Sequence, residues 1–248
     1  MAIELARKAV TRSFQAWSAV DCGGGKQATM TFSPGEDVSC RVSQYNSKAP
    51  NVNVIFFQDD NWKYRGVDGT LAKTSVTYND DTGEIYDADI EVNSANNLVT
   101  VTDDAAATKY DLQAILTHEV GHFIGIAHTQ DASATMFPSY SPGSVTQRVL
   151  APDDKKAVCA AYPPDRVATC DPTPRGGFSG TCTETGGAGS SSSSSSSGCA
   201  VAPEAEASRD ASGGTTIPFV LGALGLGWLV RPRSRKREPA STARETVR

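Results

Sequence analysis

The chain has 248 residues, 39% of them hydrophobic, with 28 acidic side chains against 23 Lys and Arg and a net charge of −5. Residues 231–248 carry seven basic and two acidic side chains, which leaves a net −10 on the preceding 230 residues. An acidic body with its basic charge confined to one tail disfavours a nucleic-acid partner.

In chain order, residues 3–20 place Ile3, Val10, Phe14 and Trp17 at helical spacing. Residues 51–58, "NVNVIFFQ", have the β-branched and aromatic content of a buried strand. Residues 71–78 and 83–93 read as two further strands joined by a turn at 79–83. Residues 111–125 read as a helix whose Leu112, Ile115, Leu116, Val120, Phe123 and Ile124 form one apolar stripe. Residues 151–163 fit an amphipathic helix. After Pro164 the composition shifts, and 164–198 hold eight consecutive serines (190–197), a linker with too little apolar surface to fold. Cys199 follows, then an apolar run of 14 residues at 217–230, a basic cluster at 231–237 and a polar end at 238–248.

All three histidines lie in the eleven residues "HEVGHFIGIAH". His118 and His122 are four residues apart, so both project from one side of a helix, one turn apart. Gly125 tolerates the left-handed turn that ends helices, which lets His128 return from a different element. Three imidazole nitrogens with a fourth position open to water describe a catalytic zinc site, whereas structural zinc usually has four protein ligands. Glu119 falls at the edge of the apolar stripe, where a carboxylate needs a partner or a task. Beside zinc-bound water it can take a proton as the water attacks a carbonyl and pass it to the departing amine. A chance match to all five specified positions is on the order of one in ten thousand or rarer.

This motif is the signature of the metzincin metallopeptidases, and "ATMFPSY" (134–140) resembles the Met-turn of the matrixins. The resemblance implies an α+β fold: a twisted mixed sheet, an active-site helix and a C-terminal subdomain with the Met-turn, here without the family's first strand. It places Met136 beneath the metal, and Pro138 and Tyr140 in the wall of the S1′ pocket. Astacins carry a metal-linked tyrosine where this chain has Pro138, which favours matrixins. By resemblance 71–78 is the edge strand above the cleft, and Leu71, Ala72, Lys73 and Thr74 would receive an extended peptide as an added strand. The closing helix would be 151–163. The domain spans 1–163, about two thirds of the chain, but only the zinc motif and the Met-turn are specific.

Matrixins also hold a second, structural zinc on three further histidines. This chain has none left, so one zinc per molecule is expected. Calcium is a further candidate at Asp80, Asp81, Asp87 and Asp89, although a solvated acidic turn is favoured because the spacing fits no defined calcium loop. The order of linker, Cys199, short apolar run and arginine cluster resembles the MYXO-CTERM bacterial sorting tails, which are cut near the cysteine and retain the protein at the cell surface. A simple C-terminal membrane anchor is the alternative.

The sequence therefore predicts an exported zinc endopeptidase acting on proteins or peptides, held to the membrane through segment 199–237. The competing class is a surface-anchored zinc-binding module without proteolysis. Export predicts disulfides, with Cys22 and Cys40 as candidate partners. The first residues carry no secretory signal, and the five cysteines outside the tail are odd in number. Both features predict a signal peptide, the first strand and a pairing cysteine upstream of Met1.

Overall fold

A computed structural model describes residues 3–166 other than 61, 65–69, 96–98 and 102–108, together with 177, 179 and the backbone of 241–247. The linker, Cys199 and the apolar run 217–230 lie outside the described residues.

Helix α1 (Ile3–Ser18) precedes a long irregular stretch, then strands β1 (Ile55–Phe57), β2 (Ala72–Tyr78), β3 (Ile85–Val92), β4 (Val99–Thr100) and β5 (Tyr110–Asp111). Helix α2 (Leu112–Phe123), α3 (Pro152–Ala161) and β6 (Ser241–Val247) complete the chain. The main sheet has the order β1-β3-β2-β6, with β1 parallel to β3 and the other pairs antiparallel. Helices packed on a mixed sheet give the expected α+β architecture.

Four expectations need correction. In α1 the buried face is Ala6, Ala9, Ser13 and Trp17, while Ile3 is 61% exposed. Val10 and Phe14 only flank the core. The small residues let α1 approach α2 closely: Trp17 Nε1–H donates to the Thr117 carbonyl at 2.7 Å and Ser13 Oγ to that of Gln113 at 3.2 Å.

The strand at 51–58 is reduced to three residues because side chains replace its ladder. Asn53 Oδ1 accepts from Ala88 N at 3.1 Å and Asp89 Oδ1 from Val54 N at 2.9 Å.

Cys22 bonds to Cys159, not to Cys40, and ties the chain just after α1 to α3 across 137 residues of sequence. Cys40 packs with Val54 and Phe56 in a separate small cluster and is itself disulfide-bonded.

Finally, β2 is not the edge of the described sheet. Its outer side pairs antiparallel with β6, from Ala72 opposite Val247 to Tyr78 opposite Ser241. An edge strand's free N–H and C=O groups accept any extended segment, and here that segment belongs to the same chain.

The solvated acidic turn expected from sequence covers only two of its four aspartates. Asp80 and Asp81 are exposed, whereas Asp87 and Asp89 are buried in β3. No three of these carboxylates converge, and the histidines form the one cluster of three or more potential ligands among the described residues. Burial first, and the Asp89 carboxylate second, push Asp87 up to about 8; burial also pushes Asp89 up to about 7. An unfolded aspartate releases its proton near about 3.9, so the folded state keeps protons that the unfolded state loses. That contribution is complete below about pH 4 and disappears as pH rises through 7 to 8. The melting temperature should therefore fall from pH 6 to pH 9, and Asp87→Asn should melt higher than the parent at pH 9. Equal melting of the two proteins at pH 9 would refute this.

Candidate active site

Helix α2 carries the motif, and its position follows from what surrounds it. It contacts α1, β2 and β3, so nearly its whole circumference is buried, wider than the single stripe expected from sequence. Asp111 caps its start, accepting from Ala114 N at 2.7 Å. The same carboxylate is gripped by Arg148, with Nε 2.8 Å from Oδ1 and Nη2 2.6 Å from Oδ2. At the other end, Gly125 has φ 85°. Its N–H donates to His122 O at 2.9 Å and that of Ile126 to Gly121 O at 2.8 Å, the two bonds of a Schellman motif. The turn also brings the Ile126 carbonyl to 2.8 Å from His122 Nδ1.

The Nε2 atoms of His118, His122 and His128 form a triangle with all three sides 3.1 Å. His118 Nδ1 lies 2.6 Å from the Thr135 carbonyl oxygen. Carbonyl oxygens only accept, so His118 and His122 carry their protons on Nδ1 and turn bare Nε2 lone pairs toward one another. Two such lone pairs facing each other repel unless a cation lies between them. Zinc–nitrogen bonds of about 2.0–2.1 Å at tetrahedral angles separate ligand nitrogens by about 3.3 Å, close to the observed triangle. The donor set fits zinc, and the backbone carbonyls supply the orienting partners that such ligands need. Burial first, then the neighbouring His122 and His128, hold His118 well below the usual histidine range, so the ring is neutral.

Glu119 is completely buried, not at a stripe's edge. Thr74, on the face of β2 turned to α2, donates from Oγ1 to Glu119 Oε2. Lys73 points the other way, with Nζ 3.9 Å from Glu91 Oε1 and 3.6 Å from the centre of the Tyr64 ring. Its side chain therefore serves the sheet. Leu71 and Ala72 are fully buried.

Met136 is 1% exposed and lies against Gly121. A Cβ on Gly121 would come within 2.2 Å of Met136 Sδ and 2.8 Å of Trp17 Cζ2. The thioether can swing away but the indole is fixed, so Gly121→Ala should cost about 1–3 kcal/mol. Chemical denaturation would measure it, and a cost under about 0.5 kcal/mol would contradict the packing.

Sequence reasoning missed Asp154, which is 1% exposed. Its Oδ2 accepts from Thr135 N and Ala151 N, both at 2.8 Å, and Oδ1 from Met136 N at 3.0 Å. The residue thus holds the Met-turn from α3. No local pattern could reveal it, since Asp153 beside it offers the same side chain. Pro138 is half-buried, and Tyr140 is 9% exposed. The Tyr140 hydroxyl donates to Ser144 O and accepts from Asp111 N at 3.2 Å, which ties the loop to the start of α2.

A helix presenting two imidazoles, a third imidazole beyond a glycine turn and a methionine packed against Gly121 of that helix make a cluster that could hold one metal ion. The matrixin peptidase family model matches residues 1–163, and the chain belongs to that family. It is 27% identical to human matrix metalloproteinase-20 over 169 residues, 67% of this chain and 29% of that protein. Similarity extends to metalloendoproteinase 1-MMP of Arabidopsis thaliana, 31% identical over 43% of this chain and 27% of the relative. Human neutrophil collagenase is 28% identical over 49% of this chain and 24% of the relative. The chain thus spans under a third of the length of each of these relatives.

Proposed function

We propose that this chain is a zinc-dependent endopeptidase acting on exported or surface proteins. The observation that carries the reading is the triangle of three imidazole Nε2 atoms beside a buried glutamate. His118, His122 and His128 hold the metal, which supplies Lewis-acid activation of water and of the scissile carbonyl. Glu119 takes the proton of the attacking water and delivers it to the leaving amine. Met136 and Gly121 set the floor beneath the imidazoles, and Pro138 and Tyr140 shape the side-chain pocket beyond the scissile bond.

An extended substrate lies along β2, on the outer edge now paired with Ser241–Val247. Substrate and that segment therefore compete for the same hydrogen-bonding groups. Three disulfide-bonded cysteines, Cys22 paired with Cys159 and, separately, Cys40, support an oxidising location. No helix among the described residues is long and apolar enough to cross a membrane. The surface-retention reading rests on the sequence of 199–237 alone. If 217–230 spanned a membrane, 241–247 would lie on the side opposite the peptidase domain. Pairing with β2 is then open only to a chain whose tail is neither inserted nor cut off.

Incubation with casein or gelatin tests the activity. Cleavage should stop with a chelator and return with zinc, and elemental analysis should give one zinc per chain. A fully zinc-loaded chain that leaves both substrates intact would support the binding-module reading instead.

A further inference from the structure

We propose that Thr74 is a positioning residue whose hydroxyl holds the Glu119 carboxylate in place for proton transfer. The inference rests on the peptidase reading of the site. Thr74 is 1% exposed and Glu119 is completely buried. A buried carboxylate costs stability unless donors reach it. Thr74 Oγ1 faces two acceptors of this one residue, the Glu119 carbonyl oxygen at 3.2 Å and the side-chain Oε2, which is nearer. A hydroxyl has one proton to give, and the charged, closer oxygen takes it.

Packing alone would place valine at a strand position this buried, because a hydroxyl there is costly unless it is used. The donor is also rigid. Thr74 pairs with Ile90 of β3, so it cannot shift without disturbing that ladder. Its branched side chain has few rotamers. Glu119 is equally fixed, on a helix pinned through the Trp17–Thr117 hydrogen bond. Two packed elements, rather than a loop, therefore set the separation of hydroxyl and carboxylate. Anchoring one carboxylate oxygen removes the side-chain rotation that proton transfer would otherwise have to overcome.

The test uses the full chain with Thr74→Val, which keeps the shape and removes the hydroxyl, and Thr74→Ser, which keeps the hydroxyl. Loss of a hydrogen bond to a charged group should lower kcat roughly 10- to 100-fold in Thr74→Val. KM should stay within about twofold, zinc content should remain at one per chain, and Thr74→Ser should recover most of kcat. A parental kcat in Thr74→Val, equal losses in both variants, or a loss carried by KM or by zinc content would overturn the proposal.

A second measurement needs no catalysis. In the zinc-free protein, Thr74→Val and Glu119→Ala should shift the melting temperature less together than the sum of their separate shifts. Additive shifts in an active enzyme overturn the Thr74–Glu119 contact alone. Coupled shifts in a chain without activity overturn the peptidase reading and not the contact.

Discussion

Glu119→Gln is expected to keep its zinc and lose peptidase activity by a factor of roughly 100 to 10,000, the range that positioned proton transfer contributes. The metal should stay because Glu119 is not among the three ring nitrogens that converge. The fold should stay because glutamine matches glutamate in shape, and its side-chain oxygen can still accept from Thr74 Oγ1. What the amide lacks is basicity, since it cannot take a proton from water at neutral pH. Zinc content, the melting temperature and kcat/KM on a peptide substrate check the three parts separately. Near-parental cleavage by a zinc-loaded Glu119→Gln would show that another group is the base.

The second large effect is expected at a residue that touches neither metal nor substrate. Asp154→Ala would leave the N–H groups of Thr135, Met136 and Ala151 without their acceptor. A buried donor left unsatisfied costs about 1–3 kcal/mol, so the set should cost at least about 3 kcal/mol. For a domain of this size that is a fall of roughly 6–12 °C in melting temperature. The damage should also reach the metal. The Thr135 carbonyl, on the same residue whose N–H bonds Asp154, orients His118 through Nδ1. Loss of such orienting partners weakens metal affinity about 10- to 100-fold. Asp154→Asn keeps one acceptor oxygen and should fall between. Competition with a chromogenic chelator and thermal melting check both parts. A variant that melts within about 2 °C of the parent and binds zinc equally would show that the Met-turn does not depend on this carboxylate.

Much of the site was legible because its geometry is local. A spacing of four residues puts His118 and His122 on one helix face whatever surrounds the helix. A glycine three residues after His122 ends that helix in a way few other residues can, and the Schellman turn observed at Gly125 is the result. The strands at 72–78 and 85–92 were equally readable from β-branched runs on either side of a turn. Where local pattern misled, a neighbour had outvoted it. Ile3 fits the helical spacing of α1, but the helix packs on α2 through Ala6, Ala9, Ser13 and Trp17, because a close approach needs small side chains.

By itself the sequence marked the three histidines that converge, the glutamate beside them, the helix that bears two of them and the methionine turn that follows. Periodicity and turn chemistry act over a few residues and leave their mark in the order of the chain. Only the tertiary structure decided that Asp154 holds the Met-turn, that Arg148 clamps Asp111, that Thr74 reaches Glu119 and that Cys22 joins Cys159. The three hydrogen-bonded pairs exist because a buried polar group must find a partner wherever packing brings one, and the disulfide because packing sets two sulfurs side by side. Partners up to 137 residues apart share no spacing that a sequence could display.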